Sequence, residues 1–253
     1  RHIGIAERDL SVMLRTIGVE SMDQLIRETI PGDILLPEPL DLPEAMTERE
    51  LLEHFMELGS KNKIFTSYIG QGWYDTVTPA PIQRNVLENP AWYTSYTPYQ
   101  AEVSQGTLEY IFEYQTMMAD LTGMDISNAS MYDGSTATAE AMMMCVANAK
   151  KRNKVLISET FTPAVMRVVE TYAHYHGVDL VKVAVKDGVM DKAQAEELIA
   201  QNDVAGLIVA QPNYYGIIED FTGLAEVCHA HKTLFVVNTV ASTLGVLRSP
   251  GEW

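Results

Sequence analysis

The stretch "VLISETFTPAVMRVVETYAHYHGVDLVKVAV", residues 155–185, decides the fold. A short apolar run, VLIS, is followed by a helix-length segment and then by a second apolar run, VDLVKVAV. Short runs rich in Val, Ile and Leu are typical of buried strands, whereas the longer segment between them is typical of a helix. The order strand, helix, strand predicts a right-handed crossover unit with two parallel strands.

The same alternation continues towards the end of the chain. The strand-like run VAGLIVAQ at 204–211 precedes the helical segment LAEVCHAHK at 224–232, and the run TLFVVN follows at 233–238. Repeated units of this kind build one sheet whose two faces are both covered by helices. The predicted fold class is therefore α/β, with a mostly parallel sheet and helices on both faces.

Two helices are predicted ahead of the first strand. One begins near Thr107, carries apolar residues on one side, is expected to pack on the sheet, and ends at Gly123. The other runs from about Ser135 to Lys151 and is apolar on most faces, which predicts a buried helix. The three methionines at 142–144 are interpreted as core filling.

The beginning of the chain has a different character. Residues 1–62 are predicted to form a helical arm with a proline-rich connector, PGDILLPEPLDLP, ahead of a large domain at 63–253. Two capping boxes are expected in the arm, Ser21 with Gln24 and Thr47 with Glu50.

Composition excludes several classes of partner. Asp and Glu total 34 against 18 Lys and Arg, so the net charge of −16 argues against nucleic acid and against anionic membrane surfaces. No apolar run is long enough for a membrane span. Cys145 and Cys228 lack a paired spacing, which favours a reducing compartment. The chain starts at Arg1 without a methionine and stops at Trp253 soon after a strand-like run, so we interpret it as a piece of a longer protein.

Two motifs bear on chemistry. The turn "YDGSTATAEA" at 132–141 opens a helix, and free N–H groups at a helix start favour an anion. It is either a phosphate turn or a plain N-cap, since it lacks the P-loop lysine and the dinucleotide-binding glycines. The histidine pairs at 174/176 and 229/231 point in different directions on a helix, so no metal site is expected.

A long segment of the chain resembles a known family. "WYTSYTPYQAEVSQGTLEYIFEYQTMMADLTGMDISNASMYDGSTATAEAM", residues 92–142, is similar to the signature region of the pyridoxal-phosphate protein of the glycine cleavage system, the glycine decarboxylases. RHIG, MLRTIGVESMDQLI, LDLPEAMTERELL, YDTVTP and RNVLENPAWYT resemble the same family in the same order. The similarity spans nearly the whole chain.

The resemblance implies an activity for the parent enzyme. It would be a glycine dehydrogenase of the aminomethyl-transferring, decarboxylating type, which decarboxylates glycine with pyridoxal phosphate and passes the aminomethyl group to the lipoyl arm of H-protein. In the long fused form, each half has a type I pyridoxal-phosphate-enzyme fold and only the second half holds the cofactor. This chain would be the front of the first half, incomplete at its C-terminus.

The resemblance also implies partners and a location. The implied partners are the C-terminal half of the same enzyme, H-protein, glycine and a second copy in a homodimer of the full-length protein. The location would be the cytoplasm of a bacterium or the mitochondrial matrix of a eukaryote.

Two departures from active type I enzymes indicate that this half does not carry the cofactor. Those enzymes place an Asp at the end of a central strand and a Schiff-base Lys further along, whereas here Asn238 ends the matching strand and no Lys follows it. No catalytic residue is therefore expected in the segment, which alone should be inactive. The turn at Gly134, Ser135 and Thr136 is interpreted as a vestigial phosphate site.

The tyrosine-rich loop supplies the candidate site residues. In such an enzyme the active site is expected where the two halves meet, and Tyr93, Tyr96, Tyr99, Gln100 and Gln105 are candidates for its wall or for substrate binding. Tyrosine offers an apolar ring and an orienting hydroxyl. The same residues suit a plain interface between the halves, because Tyr and Trp are enriched there.

Two alternative functions remain open at this stage. The segment could be a purely structural or interaction half, kept for dimerisation and for docking of a partner. It could also be a truncated stand-alone type I aminotransferase or desulfurase, although Asn238 disfavours that alternative because such enzymes use an Asp there.

Overall fold

The computed structural model describes residues 4–72, 74–94 and 96–253. The first three residues, which include most of the RHIG motif, lie outside the described part. The chain divides into two compact units, Arg1–Phe65 and Thr66–Trp253. The assignment of residues 1–62 as an arm stays a prediction.

The first unit contains three helices, α1 Glu7–Ile17, α2 Met22–Thr29 and α3 Glu48–Ser60. The capping box at Thr47 and Glu50 is confirmed, because each side chain accepts a hydrogen bond from the backbone N–H of the other residue. The box expected at Ser21 and Gln24 forms only in part. Ser21 Oγ accepts from Gln24 N at 3.1 Å, but the Gln24 side chain accepts from Glu20 N, one residue before the cap.

The second unit opens with residues 66–132, which we call the front segment. Its elements are short before the last one: α4 Ala80–Ile82, a π-helical turn Gln83–Leu87, α5 Pro90–Tyr93, a 3₁₀ turn Ala101–Val103 and α6 Gln105–Thr122. Helix α6 ends as predicted at Gly123, whose φ of 68° is left-handed. The helix was expected to pack on the sheet, and its main neighbour is the 3₁₀ turn that follows the last strand, at 241–245.

Residues 133–253 form what we call the sheet body. Its helices are α7 Gly134–Ala149, α8 Pro163–His176, α9 Lys192–Ile199 and α10 Leu224–Ala230. Its strands are β1 Lys154–Ser158, β2 Asp179–Val183, β3 Val185–Lys186, β4 Val189–Met190, β5 Val204–Gln211 and β6 Leu234–Thr239, followed by 3₁₀ turns at Ala241–Gly245 and Pro250–Glu252. Four of the strands form a parallel sheet in the order β2-β1-β5-β6. The predicted α/β class is confirmed.

The sheet separates two hydrophobic cores. Helices α7 and α8 pack on one face, and α9 and α10 pack on the other, so every residue of β5 is buried. The alternation of side chains along β5 shifts once. Lys154 pairs with Val204 and Val155 pairs with Gly206, so Ala205 is the extra residue of a bulge. The bulge turns Ala205 and Gly206 to the same face, since Ala205 belongs to the α7–α8 core and a Cβ atom on Gly206 would lie against Cys145 of that core.

The run VDLVKVAV differs from the single predicted strand. It ends as β2 at Val183, and the residues after it turn into the antiparallel hairpin β3–β4. Asp187 and Gly188 connect the hairpin with φ values of 54° and 81°, the conformation that two-residue hairpin turns require. The Asp-Gly pair is typical of a hairpin turn, but the apolar residues before it suggest one continuous strand.

The methionine cluster is also only partly as predicted. Met142 is fully buried and Met143 is packed against the α7–α8 core, but Met144 is 59% exposed. The reason is geometric, since three consecutive residues of a helix cannot all face one core.

A close approach fixes α7 against β5. A Cβ atom on Gly206 would lie 2.4 Å from Cys145 Sγ, so only glycine fits at this position of the strand. The contact brings the backbone of β5 directly under the helix that opens the candidate site.

Candidate functional site

The candidate site lies where the start of α7 meets the end of β6. Carboxyl ends of parallel strands are where open α/β sheets bind their ligands. Asn238 occupies this end of β6, as predicted, and its Nδ2 donates a hydrogen bond to Thr138 Oγ1 at 2.6 Å. Thr138 in turn donates to Gly134 O at 2.7 Å. The structure therefore brings the predicted turn and Asn238 together through a buried threonine that sequence reasoning missed.

The start of α7 already has an anionic group of its own. Asp133 is the N-cap, and its Oδ1 accepts from Thr136 N at 2.6 Å. Hydrogen bonds from the backbone and side chain of Thr136 hold the pKa of Asp133 below its ordinary value. One of the free N–H groups that a phosphate would use is therefore satisfied by a side chain.

The candidate tyrosines lie in the front segment, on and after α5. Asn89 caps α5, with its Oδ1 accepting from Ala91 N at 3.0 Å. Tyr96 and Tyr99 are each 80% exposed, and their ring centroids are 6.1 Å apart at an interplanar angle of 47°. Tyr93 is also exposed.

The two glutamine candidates are exposed as well. Gln105 Nε2 donates to Glu102 O at 3.3 Å, within the same loop, and Gln100 precedes the 3₁₀ turn. Among the residues that the structure describes, no hydrogen bond or ring contact joins any of the five loop candidates to Asn238 or to the turn before α7. Within the described part of the chain, the two parts of the candidate site are therefore not joined by a direct contact of either kind.

Helix α6 links the two parts indirectly. It follows the tyrosine loop, its Tyr110 ring lies 5.7 Å from the ring of Trp92, and its Gln115 Nε2 donates to Ser127 O at 2.6 Å. Ser127 belongs to the segment that leads to α7. One helix thus positions both the loop and the approach to the turn.

A second polar cluster, which the sequence did not reveal, lies at the end of β5. Gln211, Asn213 and Glu219 are all buried, with Glu219 only 4% exposed. Gln211 Nε2 donates to Glu219 O at 2.7 Å and Glu219 N donates to Gln211 Oε1 at 3.0 Å. The Glu219 carboxylate accepts from Asn213 Nδ2 and from Met190 N, at 2.8 and 2.9 Å. The cluster fastens the loop after β5 to the β3–β4 hairpin.

The thiols and histidines do not form a reactive centre. Burial raises the pKa of Cys145 to about 11 and that of Cys228 to about 12, so both thiols stay protonated at neutral pH. No group of His, Cys, Asp and Glu with the geometry of a metal site occurs within residues 4–72, 74–94 and 96–253. In those same ranges no helix is long and apolar enough to cross a membrane.

A solved structure resembles the whole chain. It is a crystal structure of glycine decarboxylase (P-protein) of the glycine cleavage system in inhibitor-bound form, at a TM-score of 0.81 and 34% identity. The match covers 99% of this chain and 56% of that one. The type I fold is therefore confirmed along with the α/β class.

Curated protein sequences that resemble this chain indicate the same family as the solved structure. The glycine dehydrogenase (decarboxylating) of Christiangramia forsetii is 44% identical over 260 residues, covering 100% of this chain and 26% of the relative. The enzyme of the same name from Photobacterium profundum is 42% identical over 253 residues, covering 100% and 25%. The chain thus spans about a quarter of their length. The family profile described as glycine cleavage system P-protein matches residues 1–253, and the chain belongs to that family.

Proposed function

We propose that this chain is part of a glycine decarboxylase of the glycine cleavage system. The whole protein would decarboxylate glycine and transfer the remaining aminomethyl group to the lipoyl arm of H-protein. Family membership over the full chain supports this proposal, and it disfavours a stand-alone aminotransferase or desulfurase. Because the chain spans about a quarter of its relatives, the activity belongs to the longer protein.

The residues of this chain do not fit pyridoxal phosphate. The Asn238 amide cannot supply the negative charge that stabilises a protonated pyridine ring, and its Nδ2 is already bonded to Thr138. The Asp133 carboxylate lies at the helix start where a phosphate would bind, and it would repel one. We therefore assign the cofactor of the proposed enzyme to residues outside this segment, and no step of the reaction is assigned here.

The segment would form part of the active-site wall. The observation that supports this role is the exposed ring pair of Tyr96 and Tyr99, which lie on either side of Pro98 in the connection between α5 and α6. Large exposed apolar rings that lie next to each other are typical of a surface that binds a partner. Their hydroxyls could orient a small zwitterion such as glycine, while their rings exclude water from it.

A purely structural interface is the second candidate function. The exposure of other apolar side chains in the front segment, such as Phe112 and Ile126, favours it, because these residues have no polar group with which to orient a substrate. The two candidates differ in what a lost hydroxyl does. A wall residue affects turnover, whereas an interface residue affects assembly.

The test uses the full-length protein with Tyr96→Phe and Tyr99→Phe. We expect glycine-dependent exchange of carbon dioxide, with H-protein present, to fall by about tenfold for each hydroxyl, the loss that follows from one hydrogen bond to a charged group. The melting temperature should not change. Tyr175→Phe is the matched control, since Tyr175 is equally exposed but lies near the end of α8.

Equal activity in all three variants would show that the loop acts only as an interface and not in turnover. If the wild-type full-length protein itself shows no H-protein-dependent reaction with glycine, the proposed function as a whole is contradicted. We further propose a homodimer of the full-length protein in the cytoplasm; its bacterial relatives support that location.

A further inference from the structure

A cavity lies at the amino end of the sheet, opposite the candidate site. It has a volume of about 600 Å³ and is surrounded by the connections that precede β1, β5 and β6. Its charged lining residues are Lys150, Arg152 and Lys232, and His231 and Asn202 add further polar groups. None of the described lining residues is an Asp or a Glu. The lining of the cavity is therefore positively charged, although the chain as a whole has a net charge of −16.

Arg152 forms a rigid part of this cavity. Its Nη1 donates to Val204 O at 2.6 Å and to His231 O at 3.0 Å, and its Nη2 donates to Lys232 O. These bonds occupy three carbonyl oxygens that would otherwise repel an anion, one at the start of β5 and two after α10. The other two of its five guanidinium N–H donors form no hydrogen bond with the part of the chain that the structure describes.

The side chains of the two lysines have no partner among the residues that the structure describes. Neither Lys150 nor Lys232 forms an ion pair within the described residues, whereas the nearby Lys154 pairs with Asp203 at 2.5 Å. The two lysines belong to different connections, and both of these connections line the cavity. A ligand with several negative charges could therefore contact both.

The backbone at both lysines has a conformation that normally requires glycine. Lys150 has a φ of 58° at the centre of a γ-turn, in which Lys151 N donates to Ala149 O at 2.7 Å. Lys232 has a φ of 57°. A lysine is strained at such a position, and strained residues concentrate where the side chain has a function.

From these observations we propose that the cavity binds a small polyanion of the diphosphate or polycarboxylate class. The lining does not favour larger ligands with apolar parts, because Ala149 and Ala230 are its only apolar side chains and no Phe, Tyr or Trp is present among the described lining residues. The three cations would instead form charge-assisted hydrogen bonds with phosphate or carboxylate oxygens. This inference does not rest on the proposed function.

The test measures binding by isothermal titration of the full-length protein, with pyrophosphate in one arm and citrate in the other, at constant ionic strength. The double variant Lys150→Gln/Lys232→Gln should bind at least one probe about tenfold more weakly or worse, because two charge-assisted bonds are lost. Lys151→Gln is the matched control. It removes the same charge one residue away, outside the cavity lining, and should leave affinity within about twofold.

The Lys232→Gly variant separates binding from folding. It removes the ammonium group and relieves the backbone, so it should melt at least as high as the wild type and yet bind the probe more weakly. Binding of pyrophosphate alone, citrate alone or both supports the proposal and identifies the ligand class. Three results overturn it: no saturable binding of either probe to the wild type, unchanged affinity in the double or glycine variant, or an equal loss in Lys151→Gln, which would show a diffuse field rather than a site.

Discussion

The sheet body and the front segment use similar apolar residues in opposite ways. In the sheet body, β5 is buried along its whole length between two helix layers. In the front segment, Ile126 is 85% exposed, and Phe112 and Tyr96 are also exposed. The sheet body therefore has its own core, whereas the front segment carries apolar surface that no described residue covers. Stability and function are therefore expected to divide between the two regions.

The largest expected effect contrasts one isoleucine from each region. Ile208→Ala, in the α7–α8 core, should lower the free energy of unfolding by about 2–5 kcal/mol, because it removes buried methyl groups and leaves a cavity. Ile126→Ala should change it by less than about 0.5 kcal/mol. Urea denaturation of the 253-residue chain measures both. If Ile126→Ala lowers the free energy of unfolding strongly only in the full-length protein, Ile126 lies on a surface that is covered there. Equal losses for the two variants in the 253-residue chain would contradict the difference between the two regions.

A smaller effect is expected from one glycine in each region. Gly206→Ala should destabilise the protein by about 1–3 kcal/mol, because the new methyl group would meet Cys145 Sγ. Adding Cys145→Ala should recover part of this loss, since it removes the sulfur. Gly106→Ala in α6 is the control. A Cβ there has no neighbour within 4 Å, so the change should be neutral or stabilising. Equal losses at both glycines would contradict the close approach of α7 and β5.

The smallest effect concerns the pH dependence of Asp133, at the border between the regions. Its pKa in the folded protein is lowered below the ordinary 3.8 by hydrogen bonds from Thr136. The ionised carboxylate therefore adds stability that is complete above the ordinary value and is lost as the pH falls through the lowered one. Asp133→Asn keeps a capping oxygen without the charge. The wild type should melt higher near neutral pH, and this advantage should shrink in acid; a difference that does not vary with pH would contradict the charged cap.

The elements of the sheet body could be predicted from the sequence because their periodicity is strong. The strand that ends near Asn238 and the helix stop at Gly123 both agree with the structure. The order of the strands could not be predicted, because hydrophobic runs of similar length do not encode which neighbour each strand pairs with. The β3–β4 hairpin was missed although its Asp-Gly pair is a known turn signal, since the apolar residues before it continue the pattern of β2.

Only some of the polar residues of the candidate site could be predicted from the sequence. The turn before α7 and Asn238 were both identified, but the threonine that joins them is separated from Asn238 by a hundred positions along the chain. The buried Glu219 was missed for a related reason. A carboxylate in a connecting segment is normally exposed, and only the folded chain shows that Asn213 and Met190 satisfy it.

The order of the sheet has a consequence for the behaviour of the chain in solution. Among the described residues, each outer strand pairs with a neighbouring strand on one side only, and open edges of this kind template aggregation unless charged side chains interrupt them. Strand β2 carries two charged residues, Asp179 and Lys182, whereas β6 carries none and its apolar side chains are only half-buried. Aggregation of the 253-residue chain by strand addition should therefore begin at β6, and a reagent that covers this edge should keep the chain soluble at higher concentration.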